Sequence, residues 1–481
     1  MKLSKINEIE INDIFNKLNA KEIVSHHEKV KKNFIFIALK GSNYDGREFF
    51  NEAINNGAIL IIYDKKKCVW NKSKKIKSIG ISNLKEKLGL ILSLFYKNHK
   101  RKIKIIGVTG TNGKTSVTHF LAESLNALGK KVGLIGTIGS GIFPKLKPSS
   151  LTTPNPFTLQ KKIRDFDKKK CEFLIMEVSS HAIAQKRIEG INFMALFFLN
   201  LSHDHLDYHK SIKNYKETKF SIFFQSKNLL IINTRCKYGL ELYNSLANKN
   251  KISTNKINTD HYCKEYKCSF SRTSFYIENK DKTERTLIST KIIGEFNIEN
   301  LVMVYAFLRK IEFEAYNIKK VFKSLTNAPG RMQVIKKKSR YFIVDYAHSP
   351  DALEKLLISV KSMTHENKQK LICVFGCGGN RDNSKRVLMG RVSIKYSDQI
   401  IVTNDNPRFE DPQIIANQIL IASKKKIKVI LDRTDAIRYA IKNSLPNDVI
   451  VVAGKGHEEY QEVGGKNLKF SDVKTINELS R

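Results

Sequence analysis

Apolar residues along this chain fall into short runs separated by stretches with helical spacing. Asn33-Phe-Ile-Phe-Ile-Ala-Leu, Ala58-Ile-Leu-Ile-Ile-Tyr, Ile103-Lys-Ile-Ile, Phe173-Leu-Ile-Met-Glu, Ala195-Leu-Phe-Phe-Leu-Asn and Leu229-Leu-Ile-Ile-Asn are runs of the kind buried on both faces of a parallel sheet. Between them, Phe49 to Asn56, residues 84–98 and the series Val117, Phe120, Leu121, Leu125 place apolar side chains at helical intervals. Residues 248–290 are polar with short alternating stretches, the pattern of antiparallel strands. Past Ala328-Pro-Gly-Arg-Met-Gln a second series begins with Tyr341-Phe-Ile-Val-Asp and Leu371-Ile-Cys-Val-Phe-Gly. It continues with Gln399-Ile-Ile-Val-Thr and Asp448-Val-Ile-Val-Val-Ala-Gly. Strands alternating with helices predict doubly wound α/β units. The basic linker Asn98-His-Lys-Arg-Lys and the Pro-Gly break divide the chain into a small N-terminal α/β domain (1–100), a central domain with a mostly parallel sheet (101–330) and a C-terminal Rossmann-like domain (331–481).

Size agrees, since 481 residues are too many for one hydrophobic core. No apolar stretch approaches the ~20 residues that span a bilayer. The N-terminus Met-Lys-Leu-Ser-Lys-Ile-Asn-Glu lacks the apolar region of a secretory signal, so a cytoplasmic protein without membrane contact is expected. Seven cysteines with no C-x-x-C pair argue against a disulfide framework or structural zinc. The formal charge of +39 raises the question of nucleic acid. The lysine runs Lys65–Lys67, Lys168–Lys170, Lys336–Lys338 and Lys424–Lys426, however, fall in different domains. A lysine excess spread through the chain explains the charge without a nucleic-acid partner, and a basic nucleic-acid-binding ATPase stands as the reading from charge alone.

The chemistry begins at Gly107-Val-Thr-Gly-Thr-Asn-Gly-Lys-Thr-Ser. An apolar strand leads into this glycine-rich turn and a helix follows, so that backbone N–H groups and the helix N-terminus converge on phosphate. Gly110, Thr111, Asn112, Gly113, Lys114, Thr115 and Ser116 form the cradle, with Lys114 directed at the β/γ-phosphates and the Thr115 hydroxyl at Mg²⁺. Glu177 closes a later strand. A carboxylate one strand from a phosphate loop can hold that cation. Asn200 ends another strand, just before His205, which clusters with Asp204, Asp207 and His209 as a second metal position.

Several motifs occur in order: G-T-N-G-K-T at 110–115, L-T-T-P at 151–154, E-V-S-S-H at 177–181 and D-H-L-D-Y-H at 204–209. They are followed by G-E-F-N-I-E-N at 294–300, P-G-R-M-Q at 329–333, D-Y-A-H-S-P-D at 345–351 and D-N-P-R at 405–408. This series resembles the Mur ligase family of peptidoglycan synthesis over nearly the whole chain. The resemblance implies an ATP- and Mg²⁺-dependent amide synthetase, monomeric, that adds the third residue to UDP-MurNAc-L-Ala-D-Glu through an acyl phosphate. It implies a catalytic set of Lys114, Glu177, His205 and Lys219, with Thr115, Glu177, His205 and a carbamylated Lys219 as magnesium ligands. Carbamylation turns a cation into an anion able to bind Mg²⁺. Asn297 is similar to the family's adenine-reading residue, and Arg331 and Asp345 to its ATP contacts from the third domain. His348 in the same motif is open between catalysis and a structural hydrogen bond.

The resemblance also implies that Thr152, Thr153, Ser179, Gln185 and Arg187 contact the UDP-sugar-peptide, and that Ser42, Asn43 and Tyr44 lie near uracil. The motif Asp405-Asn406-Pro407-Arg408 accompanies meso-diaminopimelate in the family. Arg408 suits a forked pair with its distal carboxylate, while Arg381, Gly454 and Glu458 would complete the pocket. Two features depart from the family. Its D-S-R triplet is replaced by Ser25-His26-His27-Glu28-Lys29-Val30, and His203 stands where arginine is frequent. A folylpolyglutamate synthetase-like ligase is the rival that shares the central ligase core.

Overall fold

The computed structural model describes residues 8–41, 44–65, 76–247, 250–365, 369–423 and 427–480. Near the N-terminus, the strands Glu22–Val24, Phe34–Ala38, Ala58–Asp64 and Lys77–Ile81 pair in that order, all parallel. Side chains alternate across the sheet. Ile35 and Ile37 pack with Leu60 and Ile62 under the helix Leu84–Phe95, while Phe36 and Ile61 meet Phe50 and Ala53 on the other face. The two central strands, Phe34–Ala38 and Ala58–Asp64, are covered on both faces, which explains their apolar sequences. Ser93 Oγ donates to Gly190 O at 2.9 Å, and Asn98 Nδ2 to Gln160 O at 2.8 Å, tying this unit to the next.

The second sheet has eight strands. Their order is Lys251–Thr254, Leu229–Asn233, Phe193–Phe198, Lys104–Thr109, Phe173–Glu177, Val132–Gly136, Gly139–Ile142 and Lys145–Lys147. The first six run parallel and the last two fold back antiparallel. The helices Lys114–Ala127 and Glu295–Lys310 bury Val117, Phe120, Leu121, Leu301 and Val304 on one face. Pro156–Lys168 and Ile212–Phe224 bury Leu159, Ile163, Phe220 and Phe223 on the other. The polar region ahead of residue 290 forms an antiparallel sheet, Tyr262–Cys268, Thr273–Glu278 and Arg285–Thr290, whose Phe275, Ile277 and Ile288 join the same core as Glu295–Lys310.

The C-terminal sheet is ordered Gln333–Lys337, Arg340–Asp345, Val449–Ala453, Leu371–Phe375, Gln399–Val402 and Ile427–Val429. Only its first pair is antiparallel. The α/β architecture expected from the apolar runs is therefore present. In the central sheet, Val108 pairs with Glu177 and Thr109 with Phe198, so the phosphate loop, Glu177 and the 199–209 segment leave neighbouring strands at one end. That is where open α/β sheets carry their sites.

Candidate functional site

The phosphate loop is shaped by backbone geometry. Gly113 has φ +88°, and a Cβ there would come within 3.2 Å of Asn300 Oδ1. Glycine takes this left-handed conformation without the steric cost of a side chain. Asn112 N donates to Asn200 Oδ1 at 2.9 Å and Asn200 Nδ2 donates back to Asn112 O at 3.1 Å, clamping the turn. Lys114 Nζ folds over the loop and donates to the carbonyls of Gly110 and Thr111, each at 2.8 Å. Burial pushes its pKa down, while Glu177 and Asp204 pull it up. The helix that starts at Lys114 adds its N-terminal dipole to the same place.

Glu177 is 1% exposed. Its carboxylate accepts from Thr115 Oγ1 at 3.1 and 3.2 Å, from Thr137 N at 2.7 Å and from Thr137 Oγ1 at 3.1 Å. These direct partners are hydroxyls and one amide, and the Lys114 cation acts on the carboxylate only through space. The hard oxygen donors of Glu177 and Thr115 therefore fit Mg²⁺. Across the loop, Asp204 Oδ1 accepts from the His205 amide at 3.0 Å, and the His205 ring lies 4.9 Å from that of His181. Burial, opposed by Asp204, lowers the His205 pKa. Lys219 is 1% exposed, with Nζ 4.7 Å from the Tyr215 ring centroid. Burial and then repulsion from Lys114 drive its pKa well down, against the pull of Asp204. The Tyr215 hydroxyl is 3.1 Å from Thr111 Oγ1, which joins the Lys219 environment to the phosphate loop. Among the described residues, no group of three or more His, Cys, Asp or Glu side chains is placed to hold a metal ion.

The residues expected against the sugar-peptide form one connected patch. Thr137 Oγ1 lies 3.1 Å from Thr152 Oγ1, and Thr153 Oγ1 donates to Glu177 O at 2.8 Å while accepting from Ser179 N at 3.0 Å. Ser179 Oγ caps a short helix through Ala182 N. Arg187 Nη1 donates to Thr153 O at 3.0 Å, and its Nε and Nη2 both reach Gln185 Oε1. Tyr44 stands in the N-terminal unit. Its hydroxyl accepts from His27 N at 3.1 Å, and the His27, Phe49 and Tyr44 rings lie nearly parallel. The residues replacing D-S-R thus contact Tyr44. Ser42 and Asn43 lie outside the described residues.

The C-terminal unit reaches the loop through Arg331, whose Nη2 donates to Thr115 Oγ1 at 3.2 Å; its Nε is buried without a hydrogen-bond partner. Asp345 shapes this approach. Its Oδ2 accepts from Met332 N at 2.7 Å and its Oδ1 from Ala347 N at 2.8 Å. Gly330, at φ +64°, lets the chain lie against Gly456 and His457, where a Cβ would stand 2.0 Å from His457 N. His348 Nδ1 donates to Tyr346 O at 2.8 Å. Asn297 is 1% exposed. Its Nδ2 donates to Ile293 O at 2.8 Å and its Oδ1 accepts from Asn300 at 3.1 Å.

Further into that unit, the Pro407 carbonyl accepts from Glu410 N at 3.0 Å, so D-N-P-R is a turn as well as a motif. Arg408 has φ +56°, donates through Nη1 to Gly379 O at 2.9 Å and pairs through Nε with Glu462 at 3.0 Å. Asn406 Nδ2 donates to Glu458 Oε2 at 3.0 Å, and Lys455 Nζ bridges Asn406 Oδ1 and Glu458 Oε2 at 2.9 and 2.8 Å. Asp405 is buried beside Gly454, with Oδ2 lacking a hydrogen-bond partner. Arg381 is exposed and lies beside Gly378 with Arg408.

Four contributors escape a reading of the sequence. Thr137 follows an apolar strand with no motif of its own. Asp351 belongs to D-Y-A-H-S-P-D, yet its partners Asn112 Nδ2 at 2.7 Å and Ser202 Oγ at 3.1 Å come from the central unit. Lys455 and Glu462 look like ordinary surface charges until Asn406 and Arg408 are placed against them.

Residues 108–308 match the Mur ligase middle domain, and residues 330–456 the Mur ligase glutamate ligase domain. The UDP-N-acetylmuramoyl-L-alanyl-D-glutamate--2,6-diaminopimelate ligase of Wigglesworthia glossinidia brevipalpis is 39% identical, covering 98% of this chain and 96% of its own. A solved ligase of the same description superposes with a TM-score of 0.69 at 30% identity, over 96% of this chain and 94% of that one. A folylpolyglutamate synthase of Mycobacterium tuberculosis, solved with ADP and AMPPCP, shares the fold at 16% identity, with a TM-score of 0.62 over 76% of this chain and 90% of that one. With relatives matching nearly end to end and the phosphate loop, Glu177 and the D-N-P-R turn all in place, the chain belongs to the Mur ligase family.

Proposed function

We propose that this chain is an ATP-dependent ligase that joins meso-2,6-diaminopimelate to UDP-MurNAc-L-Ala-D-Glu. The carrying observation is the convergence of Lys114, the Thr115–Glu177 pair and Arg331 on one loop, with the near-full-length likeness to the diaminopimelate ligase naming the substrates. The terminal carboxylate of the dipeptide attacks the γ-phosphorus, ADP leaves, and an acyl phosphate results. The amine of diaminopimelate then attacks the acyl carbon, a tetrahedral intermediate forms, and phosphate departs with formation of the amide.

Each charged residue answers one demand of that sequence. Lys114 balances charge accumulating on the transferring phosphoryl group. Thr115 and Glu177 would hold one Mg²⁺, and His205 with a carbamylated Lys219 a second. When bound, these ions supply Lewis-acid stabilisation of phosphoryl and acyl-phosphate oxygens. The burial that disfavours the Lys219 ammonium favours the neutral amine that reaction with CO₂ requires. Thr152, Thr153, Ser179, Gln185 and Arg187 orient the sugar-peptide, with Tyr44 toward the uracil end. Asn297 is assigned to adenine, and Asp345 acts by positioning Arg331.

Arg408 and Arg381 take the distal carboxylate of diaminopimelate, and the unpartnered Asp405 Oδ2 suits its ammonium. Asn406, Pro407, Gly454 and Glu458 shape that pocket. Chain divisions near residues 101 and 331 would let the outer units close on the central one and exclude water from the acyl phosphate. Among the described residues no helix is long and apolar enough to cross a membrane, and the use of nucleotide substrates supports a cytoplasmic location. The test is ADP release with the UDP-dipeptide and a panel of amino acids. Release should require meso-diaminopimelate; equal release with L-lysine, or none with either, would overturn the assignment. Release with a folate and glutamate instead would favour the folylpolyglutamate reading.

A further inference from the structure

Two loops of the amino-acid pocket leave the C-terminal sheet from different strands. Asn404 and Asp405 follow Gln399–Val402, and Gly454 follows Val449–Ala453. Leu371–Phe375 runs between these strands, so no ladder of their own sets one loop against the other. The loops nevertheless meet, since a Cβ on Gly454, at φ +115°, would fall against Asp405 Oδ2. The guanidinium of Arg433, from the helix Arg433–Lys442, spans the two strand ends. Its Nη1 donates to Asn404 O at 3.2 Å and its Nη2 to Ala453 O at 3.0 Å. These are the carbonyls of the residues immediately before Asp405 and Gly454. Nε and Nη2 also donate to the two carboxylate oxygens of Asp472, at 2.7 and 2.9 Å. Asp472 opens the helix Asp472–Leu479, and both side chains of the pair are fully buried.

We propose that Arg433, held by Asp472, is a positioning residue for amino-acid binding: it fixes the Asn404 and Ala453 strand ends against each other and thereby places the Asp405 carboxylate that receives the ammonium of diaminopimelate. The inference rests on the reading of this pocket as the diaminopimelate site. Three features set the pair apart from an ion pair that only stabilises the fold. Burying two charges is expensive, and apolar side chains of similar volume would fill the same space at least as well. What they could not do is donate to two carbonyls in fixed directions, which the planar fork of arginine does. The carbonyls chosen adjoin pocket residues in sequence, so a shift of either peptide moves Asp405 or Gly454 directly. The charge also reaches the pocket. Burial works against the Arg433 cation, but Asp472, and then Asp405 and Glu458, hold its pKa up. The cation therefore acts on both pocket carboxylates as well as on Asp472.

The test compares the wild-type chain with Arg433→Met/Asp472→Leu and with Arg433→Lys in steady-state ADP release. Wild type comes first: without release that depends on meso-diaminopimelate, the pocket assignment fails and the positioning role falls with it. The double variant replaces both charges by apolar chains. It should raise KM for meso-diaminopimelate at least about tenfold, the scale of losing two directed hydrogen bonds. KM for ATP and for the UDP-dipeptide should stay within about twofold of wild type. Arg433→Lys keeps the charge beside Asp472 but not the fork, and should lie between, with KM for meso-diaminopimelate raised about threefold. Circular dichroism reports whether each variant folds; if the double variant does not, Arg433→Lys decides alone. A pair that only stabilises the fold would lower the folded fraction, and so the apparent kcat, with every KM unchanged. That result, an equal rise in all three KM values, or an unchanged KM for meso-diaminopimelate in a folded variant would overturn the positioning role while leaving the pocket assignment standing.

Discussion

At the scale of single residues, burial decides chemistry. Lys219 is a lysine among many in the sequence, and only its enclosure against Tyr215 separates it from the rest. Replacing it with alanine should reduce diaminopimelate-dependent ADP release by about 10²-fold or more, the scale of losing one transition-state stabiliser. Bicarbonate should not restore the variant, since no amine remains, whereas millimolar formate or acetate should recover part of the rate; rescue by bicarbonate would contradict the carbamate role. Arg408 is held in a left-handed turn with Nε on Glu462 and Nη1 on Gly379. Arg408→Ala should raise KM for meso-diaminopimelate by roughly two orders of magnitude, the cost of leaving a charged partner unpaired. KM for ATP should change little, and equal shifts in steady-state kinetics would count against the assignment.

At the scale of elements, the phosphate-loop helix couples its two ends. Its N-terminus carries Lys114 and Thr115; further along, His119 is buried and depressed to about pKa 4. Above pH 6.5 the ring is neutral in folded and unfolded chains alike. Between about 6.5 and 4 the unfolded chain takes up a proton that the folded chain refuses, so stability falls as pH falls. From pH 7 to pH 5 this residue alone removes about 2 kcal/mol. Urea denaturation of His119→Leu should show an acid loss smaller by that amount, and an identical loss would mean that the ring is not protected. The linker element makes a second demand. A Cβ on Gly330 would stand 2.0 Å from His457 N at a φ that L-residues avoid. Gly330→Ala should therefore displace Arg331 and lower kcat/KM for ATP at least about tenfold, given a backbone cost of ~1–3 kcal/mol.

At the scale of the whole molecule, the central and C-terminal units meet through few polar links. Asp351 accepts from Asn112 and Ser202 across that seam, and Arg331 reaches Thr115. Each such bond contributes about 1 kcal/mol, so the arrangement of the two units can be shifted by one substitution. Asp351→Ala should increase the radius of gyration in X-ray scattering and raise KM for ATP by about fivefold, without changing the preference for diaminopimelate over lysine. An unchanged radius and KM would show that the seam does not depend on Asp351.

What could be read from the chain alone is what lies in contiguous residues. Ile103 to Ser116 carries strand, turn, lysine, threonine and helix start in one stretch, so the phosphate loop is legible without neighbours. The buried parallel strands are legible too, because a strand covered on both faces must be apolar throughout. Short elements such as Glu22–Val24 have too few residues to show a period. Tertiary structure alone decided which strand ends adjoin. It set Thr137 on Glu177, Asp351 on the phosphate loop, Lys455 between Asn406 and Glu458, and Arg433 between two strand ends. Those pairings join residues far apart in sequence through sheet order and domain approach. Their chemistry depends on the burial of polar side chains, which no local pattern encodes.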